Sequence, residues 1–531
     1  MKSPRRIGLI TLTLFVMAIP GVLVAQQHIG QLGDAKHHRY KLVDIGTFGG
    51  PASYINAAFS LGAPNQINER GTAVGSSATS IPAPADSNLG VCDGVDGDVP
   101  FVFHAFQWQN GVVSDLGALQ GSDNCSVASA INAHGEIVGH SEIDAIDPLF
   151  GVKEFHAVLW RDGEILDLGT FGGHYSLVAS INNRGQIAGA ATNAIPDPFS
   201  LAYQLVNSSA GTQTRAFLWE DGHKKDLETL GGPDAQAFLI NDNGQVAGLS
   251  YVNSTANSVT GFPTLHPFLW HNGHMTDLGT LGGFGTLFST VSVNDMNNRG
   301  QVIGLSPLAG DQIAHVFLWK GEELIDLTAQ SGGLIATANA INDAGEIVGN
   351  ATFPGGASDA YLWKDGAITD LGTLSGDCFS NAFAINSRGQ VVGQSFSCVS
   401  GIVRSFLWEN GSMVDLNALI PPNSNLFLDN TLAISDKGEI GGLAVPPNCG
   451  NENDAHCGHA YVLIPCDDNH SGEEGCEENN DVRPTALQVT PAPVSQLPVN
   501  VTDLGLTPRE IAAQIRARFG RNRGLRAWLQ K

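Results

Sequence analysis

Along most of this chain, apolar and polar residues alternate in short runs, and the runs recur in one fixed order. The most regular run is aromatic. His104-Ala105-Phe106-Gln107-Trp108 shares its register with residues 156–160, 215–219, 266–270, 315–319, 359–363, 404–408 and 459–463. A period of two puts the His, Phe and Trp positions on one face of a strand, and Ala and Leu on the other. Both faces are mostly apolar, so the predicted sheets are covered on both sides. Asn110-Gly111, Asp162-Gly163, Asp221-Gly222, Asn272-Gly273, Asp365-Gly366 and Asn410-Gly411 come next. Such pairs favour a two-residue hairpin because both positions take positive φ. The strand after the hairpin ends on Asp-Leu-Gly at Asp115, Asp167, Asp277 and Asp370, with variants at Asp44, Asp226, Asp326 and Asp415.

Two more strands precede the aromatic one. They are joined by an Asn-x-x-Gly turn at Asn68, Asn132, Asn182, Asn241, Asn297, Asn342 and Asn386, with Ser435 in the eighth copy. The side chain at this position can bond the backbone ahead of it, and the glycine three residues on tolerates positive φ. Each unit therefore holds four antiparallel strands, a to d. Repeated radially, such units make an all-β fold, a β-propeller. The turn asparagines stand 64, 50, 59, 56, 45 and 44 residues apart, looser than a solenoid keeps. The array opens with a lone strand d at residues 40–46 and closes with strands a, b and c at 432–464. One blade is thus split between the ends, giving eight blades and no open sheet edge. Val501-Thr502-Asp503-Leu504-Gly505 is a second copy that could fill the same slot; the N-terminal strand is preferred because it runs straight into blade one.

His104-Ala105-Phe106, with Asp277-Leu278-Gly279-Thr280-Leu281-Gly282-Gly283, resembles the HAF repeat family of bacterial extracellular repeat proteins. His156-Ala157-Val158 and His459-Ala460-Tyr461 match nearly. The resemblance covers residues 40–465 and implies export and a repeat fold. It implies no reaction and carries no catalytic residue. The His column departs from the pattern at Arg215, Asp359 and Arg404, which argues against a shared metal-binding role.

The ends differ from the array. Residues 1–25 read as a signal peptide: Lys2, Arg5 and Arg6, an apolar stretch, then Pro20-Gly21 before Ala25. An uncleaved membrane anchor is the alternative. Residues 26–39 form a leader, 40–466 the propeller, 467–506 an acidic and Pro-rich linker, and 507–531 a basic amphipathic helix. Thr507-Pro508-Arg509-Glu510 gives that helix its cap, and Ile511, Ile515 and Phe519 share one face. The formal charge is −25. Removing the signal cations and setting aside a tail of +6 leaves a body of −34. Such a body repels nucleic acid and anionic membrane. The tail could touch membrane or envelope polymer, or dock on the acidic propeller.

Eight cysteines in an exported chain predict four disulfides. The expected pairs are Cys92–Cys125, Cys378–Cys398, Cys449–Cys457 and Cys466–Cys476. The longest b–c connections, residues 76–103, 141–155, 190–214 and 250–265, share a face with the d–a loops, where binding is expected. The His column (His104, His156, His266, His315, His459) is read as bonding a backbone or strand-d Asp, not a metal. Trp108, Trp160, Trp219, Trp270, Trp319, Trp363 and Trp408 are expected in the core. Asp93, Asp96 and Asp98 could hold calcium within one loop, though without EF-hand spacing; no other cofactor is expected. Glu142, Asp144 and Asp147 form a weaker cluster. No GxSxG, HExxH or P-loop occurs. The reading is a secreted, monomeric, non-catalytic binding or scaffold module for an extracellular polymer or protein. The alternatives are a glycan-active hydrolase or lyase, and an envelope protein attached through its basic tail.

Overall fold

A computed structural model describes residues 37–55, 65–87, 101–148, 151–201, 211–285, 291–311, 313–447, 449, 457–467 and 476. The signal segment, most of the leader and linker, the C-terminal segment and Val501–Gly505 lie outside the described residues, as do Cys92, Asp93, Asp96 and Asp98.

Blade four is representative. Ala235–Ile240 pairs with Val246–Tyr251, that strand with Leu265–His271, and that with His274–Asp277, all antiparallel. The described strands fall into eight such sets, and the chain is an all-β propeller. In the last set, Phe427–Ile434, Ile440–Val445 and His459–Pro465 take their fourth strand from the other end of the chain. Tyr40–Asp44 pairs antiparallel with His459–Pro465, Tyr40 opposite Pro465 and Asp44 opposite Tyr461. The N-terminal strand supplies the fourth strand of this set, as its position next to blade one predicts.

The turn asparagine does more than shape its own turn. Asn241 Oδ1 accepts from the Asn243 and Gln245 N–H groups, as an Asx turn requires. Its Nδ2 donates to the carbonyl of Asn297 in the next blade at 3.0 Å. Asn68, Asn132, Asn182, Asn297, Asn342 and Asn386 make the same reach to the next blade. The eighth blade meets the first differently. The Ser53 N–H donates to the Gly458 carbonyl, and the Ala460 N–H donates to Ser53 Oγ, both at 2.9 Å. Ile55, Ile67 and Trp108 of blade one share a cluster with Ala433, Val462 and Ile464 of blade eight.

Strand a slips register near its middle, in blade four between Ala237 and Leu239. The bulge presses the Gln236 carbonyl onto strand b at Gly248, where a Cβ would sit 2.0 Å from that oxygen. Gly75, Gly139, Gly189, Gly304, Gly349, Gly393 and Gly442 hold the same place, each with a carbonyl of strand a, or in blade six of Thr337 just before it, between 1.9 and 2.3 Å from the missing Cβ. Trp108, Trp160, Trp219 and Trp270 are buried, while Trp319, Trp363 and Trp408 are half-buried against their clusters.

Three of the expected long loops begin as strand. Ala73–Pro82, Ile137–Ile146 and Ile187–Pro196 run ten residues each, against six for strand b in blades four to eight. Their partners, Phe101–Gln109, Lys153–Arg161 and Thr212–Glu220, lengthen to match. Blades one to three thus carry tall b–c hairpins. Past a register slip their outer ends pair again, Pro82 opposite Phe101, Ile146 opposite Lys153 and Pro196 opposite Thr212, so the strands run further than polarity alone indicates.

Cys378–Cys398, Cys449–Cys457 and Cys466–Cys476 are disulfide-bonded. Cys125 is also in a disulfide; its expected partner Cys92 lies outside the described residues. Such bonds persist in an oxidising environment, outside the cytoplasm. No helix among the described residues is long and apolar enough to cross a membrane.

Candidate functional site

Strands alternate in direction, so the b–c and d–a connections form one face, the loop face. The a–b turns and c–d hairpins form the opposite, turn face. Strand c begins at the loop face and strand d ends there, which brings the His column to the Asp of Asp-Leu-Gly. His104 Nδ1 lies 2.9 Å from Asp115, His156 2.9 Å from Asp167, His266 2.9 Å from Asp277, His315 2.8 Å from Asp326 and His459 3.0 Å from Asp44. Arg215 makes the same clamp with two bonds to Asp226, at 2.9 and 3.2 Å. Arg404 bonds Asp415 at 3.2 Å and Asp377 at 2.9 Å. Of the alternatives read from the sequence, the strand-d carboxylate is the histidine's partner. Among the described residues no group of three or more His, Cys, Asp or Glu side chains converges as metal ligands would.

The same aspartates also accept a backbone N–H two residues on, from Gly46, Gly117, Gly169 and Gly279. That is why Asp, Leu and Gly travel together: one carboxylate caps the turn and holds strand c. Burial pulls Asp44, Asp115, Asp167 and Asp277 upward. The histidine and the glycine N–H outweigh it, and all four sit below the ordinary aspartate value. Their contribution to stability is present above that value and is lost as the pH falls through the lowered one.

Blade six breaks the pattern. Asp359 takes the histidine position, and the residue eleven on is Asp370. Asp359 is 7% exposed, and its Oδ1 has no hydrogen-bond partner. Burial first, and the Asp370 charge second, push Asp359 up from 3.8 to about 6. Its sign is opposite to that of the clamps. The folded state holds this proton more tightly, so the contribution is present below pH 3.8 and lost as the pH rises through about 6. Asp359→Asn is expected to remove that loss. Solvent at Asp370 limits the difference to roughly 1 kcal/mol. Melting curves of both proteins between pH 4 and 7 measure it; parallel curves would refute the assignment.

Two other acidic groups are structural. Glu142, Asp144 and Asp147 do not converge: they accept from the Cys125 N–H, Asn124 Nδ2 and Tyr175 Oη respectively. Asp197 and Asp234 are a buried pair that the sequence reading missed. Asp234 accepts from the Leu201 and Thr214 N–H groups and so fastens the blade-three b–c connection to blade four. Burial raises Asp234 to about 8; the two N–H groups oppose the rise, and Asp197 adds to it. The two lie 37 residues apart in different connections, with no motif to join them.

The loop face is also where apolar side chains meet solvent. Nine large apolar side chains are exposed among the described residues. Ile81, Ile146, Ile195, Val259, Phe284, Ile313 and Val399 are on this face; only Val112 and Leu166 are elsewhere. Ile81, Ile146 and Ile195 hold equivalent places near the ends of the three tall hairpins. On the turn face, a hollow of about 230 Å³ lies beside the closing strand, lined by His38, Tyr40, Arg388, Gln390, Glu409 and Asp467. Glu409 there is held by His37 at 3.1 Å and Gln390 at 2.6 Å.

No family model and no curated protein matches the chain by sequence. Solved structures similar to it include the β-propeller domain of the Trilobed protease from Pyrococcus furiosus, at 10% identity and a TM-score of 0.36, covering 71% of this chain and 95% of that one. An acylaminoacyl peptidase from Pyrococcus horikoshii matches at 11% identity and a TM-score of 0.36, with 66% of this chain on 54% of its own length. TolB from Acinetobacter baumannii matches at 11% and 0.26, covering 62% and 80%. No catalytic group is carried over from these chains, and the propeller architecture rests on strand pairing.

Proposed function

We propose that this chain is a non-catalytic propeller that works outside the cytoplasm and binds an extracellular polymer or protein through its loop face. The observation that carries the reading is the distribution of exposed apolar side chains. They gather on one face, and three of them repeat on adjacent tall hairpins. Exposed apolar residues scattered singly are ordinary, whereas a set gathered on one rigid face marks a contact surface. The disulfides, the N-terminal sequence and the resemblance to HAF repeat proteins support export.

The test is a glycan array and a cell-wall pulldown with the mature protein, with and without EDTA, which also tests calcium at Asp93, Asp96 and Asp98. Replacing Ile81, Ile146 and Ile195 together by Ser is expected to weaken capture at least about tenfold. Surface positions of this kind leave stability within roughly 0.5 kcal/mol. Val112→Ser, away from the loop face, should bind normally. Equal loss from both variants, or no capture on either format, would sink the reading.

A further inference from the structure

Eight blades of one chain act as controls for one another. Seven close the start of strand c on the end of strand d with a His or Arg side chain against Asp. Blade six offers acid against acid, and nothing in its own sequence replaces the His or Arg. Asp359 is more than nine-tenths buried with an unpartnered oxygen, while Asp370, at the end of strand d on the loop face, is exposed. The other blades also say which chemistry fits. Arg215 and Arg404 place a guanidinium in this position, Arg215 with two bonds to a single carboxylate. A planar fork of N–H donors matches a carboxylate better than a point charge does.

The chain has such a group to spare. Residues 507–531 hold Arg509, Arg516, Arg518, Arg521, Arg523 and Arg526, against one acid, Glu510. The body they are tethered to is strongly acidic, and Lys153, Arg215 and Arg404, described residues at the loop face, are each paired with an acid. The tether is long enough. Cys466–Cys476 ties the first ten residues back beside the propeller. The segment from 477 to 506 counts 30 residues, and an ideal random coil of that length spans roughly 30 Å. A seven-residue strand c, the thickness of a blade, is about 23 Å long, and at full extension the same 30 residues reach about 100 Å, enough to pass from blade eight to blade six as well. Tethering also holds the segment at an effective concentration of order millimolar.

We propose that Asp359 and Asp370 form an arginine acceptor in blade six, and that its occupant is an arginine of the C-terminal segment 507–531. This goes beyond loop-face binding and holds whether or not a polymer binds there. Where one does, the docked segment competes with it for the face.

The test uses the full chain. Trypsin cuts after arginine, so cleavage within 507–531 reports how much of the time the segment is free. In the native protein at low salt, cleavage there is expected to run about tenfold slower than in Asp359→His, which fills the gap as five other blades do. A melting temperature for Asp359→His at or above the native value separates lost docking from lost folding. Asp359→Glu keeps a carboxylate and should retain most of the protection. Raising NaCl from 50 to 500 mM should release the segment in the native chain and change little in Asp359→His. Equal cleavage in the native chain and Asp359→His overturns the proposal. So does protection lost on adding calcium alone, which would make the gap a metal site. Protection that appears only with anionic vesicles and ignores Asp359 would assign the segment to a membrane surface instead.

Discussion

Gly248→Ala is expected to cost about 3 kcal/mol or more of stability, among the largest effects of any single methyl group in this chain. The backbone there is ordinary, since Gly248 is not among the residues with positive φ. The cost comes from space. An alanine Cβ would lie 2.0 Å from the Gln236 carbonyl and 2.8 Å from Phe268 Cζ. A ring can turn aside, but the carbonyl belongs to a bulged strand fixed on both sides of the slip, at Ala237 opposite Gly248 and Leu239 opposite Ala247. A companion substitution separates the two contacts. Phe268→Leu makes room for the ring contact and leaves the carbonyl where it is, so the double variant should remain as unstable as its members predict. Urea unfolding followed by tryptophan fluorescence measures both. Full recovery in the double variant would place the strain on the ring and refute the bulge as its cause.

Much of this architecture is legible in the sequence because the repeat supplies its own alignment. Asn-Gly hairpins, the alternation of His, Phe and Trp, and the split final blade each point to the same four-stranded unit. The closing strand is legible because residues 40–44 spell a strand d with no blade before them. Less legible are features that need two distant residues at once. Asn241 announces its own turn, but its second bond, to the Asn297 carbonyl, depends on blades standing side by side. The glycine of strand b is visible eight times, yet its reason is a carbonyl in another strand. Asp359 is conspicuous as a missing histidine. Its meaning appears only when the pairing of positions eleven apart is seen in six other blades, because that spacing joins the start of one strand to the end of the next. The tall hairpins were hidden because their outer ends look like loop by composition and pair again only past a register slip.

The Trp column allows a prediction graded by burial. Trp160 is 4% exposed and packs among Val74, Ala105, Ala128, Ile131, Ile137 and Val158. Val74 and Ala105 belong to blade one and the others to blade two, so this ring joins two blades as well as filling one. Trp160→Ala should cost ~3–5 kcal/mol, the transfer term plus a cavity that two rigid sheets cannot close. Trp408 is only half-buried against the Val391 and Phe406 cluster, so Trp408→Ala should cost roughly half as much. Trp160→Phe keeps most of the apolar volume and should recover most of the loss. The ranking distinguishes core from binding platform. If these rings served a ligand, the half-exposed Trp408 would matter more for capture than Trp160. If they serve the fold, Trp160→Ala lowers the unfolding midpoint most, and capture by the folded fraction of Trp408→Ala stays native. An unfolding midpoint for Trp408→Ala at or below that of Trp160→Ala would overturn the assignment of this column to inter-blade packing.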